Sequence, residues 1–172
     1  MNTVDHLREL IRDAHQTLEE NIGELTPEQA HWIPPGRLHP IDALFAHVVV
    51  GEDMFLSRFV RQVPALCETA WAERTGVGEP HPENPPWDEW AKRVTIDLPA
   101  LREYSRAVYA RTDEYLSSLC AEDLEAAVPA SPPGAMWTLA YVLGPITAGH
   151  VYQHAGEISA VKGLQDLKGY DF

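Results

Sequence analysis

Apolar residues between positions 4 and 23 repeat with a helical period: Val4, Leu7, Leu10, Ile11, Ala14, Leu18 and Ile22 fall on one stripe. A helix with one apolar side must bury that side against partners, so a chain that opens this way is committed to helix packing. Thr3 is the candidate N-cap of this helix and Gly23 its stop. The same periodicity predicts three more long helices: from near Pro40 to about Gln62, from Leu98-Pro99 behind Asp97 to Leu119, and from about Trp137 to Lys162. Ile41, Leu44, Phe45, Val48, Phe55, Leu56 and Phe59 carry the second of them. Around His47 it is apolar on more than one side, which implies deep burial. Pro145 removes a backbone donor inside the last helix and predicts a kink near Tyr141 to Gly144.

Shorter elements fill the connections. Thr26-Pro27-Glu28-Gln29 is a capping box with proline at the first helical position, and it predicts a short helix to about Trp32. Further short helices are expected around Trp87–Val94 and, with acidic composition, around Ala121–Ala127. Pro34-Pro35-Gly36 and Pro129 to Gly134 read as loops, and His39 before Pro40 is the candidate cap of the second long helix. The stretch from Pro64 to Asp97 is rich in proline, glycine and tryptophan, and Trp71, Trp87 and Trp90 are expected to cover a bundle end or border a pocket. The fold class is therefore all-α: a four-helix bundle with a long second-to-third connection and short extra helices.

A chain of 172 residues fits one domain, taken as residues 1–172, and is large enough for a core without staples. Its formal net charge of −13 argues against nucleic acid, which is bound by basic surfaces, and against anionic membranes. The N-terminus has no signal-peptide pattern and no run of about 18 apolar residues occurs. Cys67 and Cys120 form no framework of spacings and read as free thiols in a reducing cytoplasm.

Chemistry is concentrated in His150-Val151-Tyr152-Gln153-His154, where two imidazoles one helical turn apart share a face. His47, from another helix, would complete three nitrogens and leave coordination positions open, as catalytic metal sites do. A chain with eight histidines would show such a pair by chance in roughly one case in three, so the spacing alone is weak. The apolar context of His47 adds weight, because an unpartnered buried imidazole is costly. Glu157, one turn beyond His154, is a candidate to orient a ligand imidazole or to act as general base; a solvated helix-end glutamate is the plain alternative. Thr147 and Gln153 flank the pair as candidate substrate contacts, and Gly51 shares the face of His47. Glu52 and Asp53 point away and read as surface or capping residues. His6, His15, His31, His39 and His81 read as structural or solvated. Neither a nucleophile elbow nor a phosphate-binding glycine loop is present.

At these residues the chain resembles the DinB-like superfamily of helical-bundle metalloproteins. The likeness is carried by Ala46-His47 followed by Glu52-Asp53, by His150 and His154 with Ala155-Gly156-Glu157-Ile158 after them, and by Leu25 to Gln29 running into Pro34-Pro35-Gly36. It implies His47, His150 and His154 as ligands of a divalent metal, a homodimer, and a low-molecular-weight thiol as a possible co-substrate. Three imidazoles suit zinc or nickel first, with iron or manganese also compatible. The expected function is a metal-dependent enzyme acting on a small molecule, a hydrolase or a thiol-dependent transferase. The alternative is a non-catalytic metal- or ligand-binding stress-response protein.

Overall fold

The computed structural model describes residues 2–82, 87–129 and 134–170. Four long helices build it: α1 (Thr3–Ile22), α3 (Ile41–Met54), α5 (Leu98–Ser117) and α7 (Gly149–Gly163), with short α2 (Pro27–Ala30), α4 (Trp87–Arg93) and α6 (Leu139–Tyr141) between them. α1 packs against α5 and α7, and α3 packs against the same two, so α1 and α3 face each other across the bundle. Among the described residues the architecture is the expected all-α bundle, with one small two-stranded sheet besides.

The stripe of α1 is the reason it lies where it does. Val4, Leu7, Ile11, Ala14, Leu18 and Ile22 are all buried. α3 is buried on almost every side, from Ile41 through Ala46 and again at Val48, Val49 and Val50, which makes it the central helix of the core. Polar fasteners pin the helices at their ends. Asp113 of α5 receives bidentate bonds from both Arg8 and Arg12 of α1, at 2.6 to 2.9 Å. Asn21 Nδ2 donates to Ala155 O of α7 at 2.9 Å, and Lys162 Nζ donates to Asn21 O at 2.8 Å.

The helix boundaries follow capping chemistry, with some shifts. Thr26 and Gln29 form the expected reciprocal box, and Asp97 caps α5 by accepting from Ala100 N at 3.1 Å. The cap of α1 is Asn2, one residue earlier than Thr3, because its amide closes a box with Asp5. Gly23 ends α1 at a φ of +45°, a conformation that favours glycine. His39 does not cap α3: Pro40 holds the cap position with no side-chain bond, and the His39 ring is drawn instead to Asp88 at 2.8 Å. The acidic segment after α5 is a 3₁₀ turn, Glu122–Glu125.

Two departures bear on function. The helix that carries His47 and the one that carries His150 and His154 each adjoin a π-helical stretch. α3 widens over Phe55–Val60, and α6 runs through Val142–Ala148 into α7. The second stretch replaces the expected kink. Pro145 cannot supply its N–H, the wider turn absorbs the missing bond, and Thr147 Oγ1 donates back to Val142 O at 2.9 Å. The other departure is a small antiparallel hairpin, Ala127–Pro129 with Met136–Thr138, where a loop and the start of the last helix were expected. Thr138 then caps α6. Residues 130–133 of the predicted loop lie outside the described residues.

The long connection after α3 is tacked down rather than loose. Gly76 O accepts from Asp97 N at 2.8 Å, and Gly78 N donates to Thr95 O at 2.9 Å. Gly76, at φ +79°, lies so close to α5 that a Cβ would come 2.5 Å from the Asp97 oxygen and the Leu101 nitrogen. This anchoring carries the chain back across the bundle to His81.

Candidate metal centre

α7 begins as the π stretch ends, and this places His150 and His154 on consecutive turns facing α3. His47 comes from the opposite wall. One ring nitrogen from each of the three lies within 4.8 Å of the other two. His47 Nε2 and His150 Nε2 are 3.1 Å apart, and the three ring centroids are separated by 4.6 to 5.0 Å. All three residues are half-buried.

Electrostatics keep two of these rings, His47 and His150, uncharged. Burial pushes the pKa of His47 down to about 3, and nearby His150, His154, His81 and His39 push the same way. His150 falls to about 4, again from burial first and His154 second. A proton on either ring would be poorly solvated and would face other imidazoles. Neutral imidazoles with convergent lone pairs are the form in which histidine ligates a metal.

Around the three rings stands a further set of groups. Glu157 Oε2 lies 3.0 Å from His154 Nδ1, and its Oε1 lies 3.6 Å from His39 Nδ1. The His154 bond holds the Glu157 carboxyl below its usual pKa. His81 Nε2 lies 2.8 Å from His47 Nδ1. Trp87 packs 5.0 Å from the His47 ring, and Trp90 packs edge-on against His81 at 4.9 Å. Trp71 sits elsewhere, against Tyr104.

A cavity of about 240 Å³ adjoins the imidazoles, lined by His47, Gly51, Glu52, Phe55, Ile146, Thr147, His150 and Val151. Its walls explain the π stretches in part, because Phe55 comes from the first, and Ile146 and Thr147 from the second. π turns recur at functional sites because they re-aim side chains without ending the helix. A Cβ added at Gly51 would meet nothing within 4 Å, in keeping with the open space beside it.

Of the residues singled out in the sequence, His47, His150, His154 and Glu157 are brought together, and Gly51 and Thr147 line the adjoining cavity. Gln153 is exposed and does not line it. Glu52 and Asp53 require a correction in one respect: they are not surface groups but are 5% and 3% exposed, while the expected capping role holds for Asp53 at the start of the 3₁₀ turn Leu66–Glu68. Glu52 accepts from Thr112 Oγ1 at 2.6 Å and pairs with His15 Nε2 at 2.8 Å. Asp53 accepts from Tyr104 Oη at 2.6 Å and from the backbone N–H groups of Leu66 and Cys67. Sequence reasoning also missed His81 and His39. His81 lies between Pro80 and Pro82 in an aperiodic segment, and no spacing signal joins it to His47.

A family model described as the DinB superfamily matches residues 10–158, a span that contains all three clustered histidines. Among solved structures, the crystal structure of a conserved protein from Enterococcus faecalis is similar to this chain. Its TM-score is 0.79 at 21% identity, over 95% of this chain and 97% of that one, a likeness of fold. No curated protein matches the chain.

Proposed function

The chain belongs to the DinB superfamily, and from that membership and the converging imidazoles we propose a divalent metal centre held by His47, His150 and His154. The observation that carries this reading is the meeting of three ring nitrogens within 4.8 Å of one another, two of them on rings that burial keeps neutral. The donor chemistry fits the group: three uncharged nitrogen ligands suit zinc or nickel first, then iron or manganese. Such an ion keeps its full charge and lowers the pKa of a water or thiol bound to it.

The chain's own residues do the rest. Glu157 holds the His154 ring by its Nδ1–H, so that Nε2 turns toward the cluster. Phe55, Ile146 and Val151 give the adjoining cavity an apolar wall, and Thr147 and Gly51 leave room beside the metal. These features support a metal-dependent enzyme acting on a small molecule with an apolar portion, by hydrolysis or by transfer involving a low-molecular-weight thiol. One observation favours the alternative of a non-catalytic metal- or ligand-binding protein. Glu157 Oε2 accepts from His154 Nδ1 at 3.0 Å, so that oxygen holds a ring rather than taking a proton, while Oε1 stands 3.6 Å from His39 Nδ1, beyond hydrogen-bond distance. The reading includes a homodimer, for which exposed Phe59, Met136 and Tyr141 supply apolar surface, and a cytoplasmic setting. No helix among the described residues is long and apolar enough to cross a membrane.

The test is elemental analysis of protein purified without a histidine tag, before and after reconstitution. About one divalent ion per chain is expected, and His47→Ala/His150→Ala/His154→Ala protein should hold none. Stoichiometric metal in the triple variant would refute the assignment.

A further inference from the structure

His81 lies in the long connection, 34 residues from His47 in sequence, yet its Nε2 is 2.8 Å from His47 Nδ1. We propose that His81 is a positioning residue that sets the tautomer of His47, so that the Nε2 lone pair of His47 is the one presented to the metal. The inference rests on the metal-centre reading above and extends it to a fourth histidine outside the ligand pattern.

Two neutral imidazoles at hydrogen-bond distance can share one proton in only two ways. If His81 donates from Nε2, then His47 carries its own proton on Nε2, and that nitrogen cannot ligate. If His47 donates from Nδ1, its Nε2 is bare and faces His150 and His154. The nitrogen of His47 that faces His150, at 3.1 Å, decides between them: it is Nε2. A metal held between these rings takes that lone pair and leaves the His47 proton on Nδ1. His81 Nε2 is then the acceptor, and the proton order runs from His47 Nδ1–H to His81 Nε2.

The surroundings hold this order in place. Trp87 and Trp90 wall the His81 ring, with centroids 6.4 and 4.9 Å away. Glu157 acts on His154 by the same logic, since a carboxylate can only accept from Nδ1–H and so frees that Nε2. Two of the three ligand rings thus arrive with the binding nitrogen already bare. A partner of this kind typically changes metal affinity by about 10–100-fold.

The experiment has two arms. Nitrogen NMR of the imidazoles in metal-free wild-type protein near neutral pH should find His47 protonated at Nδ1 and bare at Nε2; the opposite tautomer overturns the proposal. Zinc affinity, by chelator competition, is then compared for His81→Phe and His81→Gln. Phenylalanine keeps the bulk but offers no acceptor, and should lose about 10–100-fold. Glutamine restores an acceptor oxygen and should recover most of that loss. Wild-type affinity in His81→Phe, or a loss in His81→Gln as large as in His81→Phe, also overturns it. The two readings fail separately: wild-type protein that takes up no zinc sinks the metal centre, while the tautomer measurement still decides the role of His81. It also decides that role should His81→Phe not fold.

Discussion

α3 carries two buried polar sites little more than a turn apart, and they are satisfied in opposite ways. At Glu52 and Asp53 the acceptors meet donors from the rest of the bundle: His15 of α1, Thr112 and Tyr104 of α5, and the backbone of Leu66 and Cys67 in the connection. Those bonds tie α1, α5 and the connection to the central helix, and Glu52 also lines the cavity beside the imidazoles. At His47 the ring nitrogen meets two other ring nitrogens, with His150 Nε2 at 3.1 Å. The divalent ion proposed above would satisfy all three rings at once. Both regions are buried polar clusters on the same helix, and the distinction between scaffold and site lies in whether the chain supplies the complementary groups.

The comparison can be broken at either end. The largest effect is expected at the imidazoles. Replacing His47, His150 or His154 singly with alanine should weaken metal binding by more than the roughly 100-fold that outer partners carry, and leave the melting temperature of the metal-free protein nearly unchanged. Titration with a chelating competitor measures the first and calorimetry the second. A single alanine variant with wild-type affinity would place the metal elsewhere.

Next in size is Asp53→Ala, which strands the Tyr104 hydroxyl and two backbone N–H groups. Each unsatisfied donor costs about 1–3 kcal/mol, so a loss of about 3 kcal/mol in urea unfolding is expected, with metal affinity retained. Unaltered stability would show that this cluster is not the fastener described. Glu157→Gln should act more gently: it keeps the size, removes the charge and leaves an oxygen that still accepts from His154. About a tenfold drop in metal affinity is expected, with folding intact. If affinity and any turnover both hold, Glu157 is a bystander.

The smallest effect concerns acid. His150 titrates near 4 in the folded chain against 6.5 for the free side chain. The unfolded state therefore binds the proton first as pH falls, so this contribution is fully present above about 6.5 and is lost toward pH 4. Metal-free His150→Gln should lose less stability than wild type across that window in parallel urea titrations. Identical pH dependence would mean that burial at this end of the bundle does not hold the ring neutral.

The periodic signals of the chain were enough for its architecture. Residues 4–22 could bury their stripe in only one way, Thr26 and Asp97 capped the helices they were expected to cap, and His150 and His154 shared a face because the helical period requires it. What escaped depended on contacts between distant residues. Polar residues on α3 looked exposed because Glu52 and Asp53 lie well round the helix from His47. A helix buried on nearly all sides, however, has no solvent face for them to reach. Pro145 announced a local break, but whether the backbone answered with a kink or a wider turn depended on Thr147 having a carbonyl to bond. His81 and His39 sit in segments without periodicity, so no rule of spacing could bring them to His47 and Glu157. Local sequence determined the helices, their caps and two of the clustered histidines, because those depend on bonds within a turn or two. Tertiary structure alone decided which polar groups found donors, which ring nitrogens were brought to converge, and that His81 meets His47, because those depend on what each side chain meets once the bundle closes.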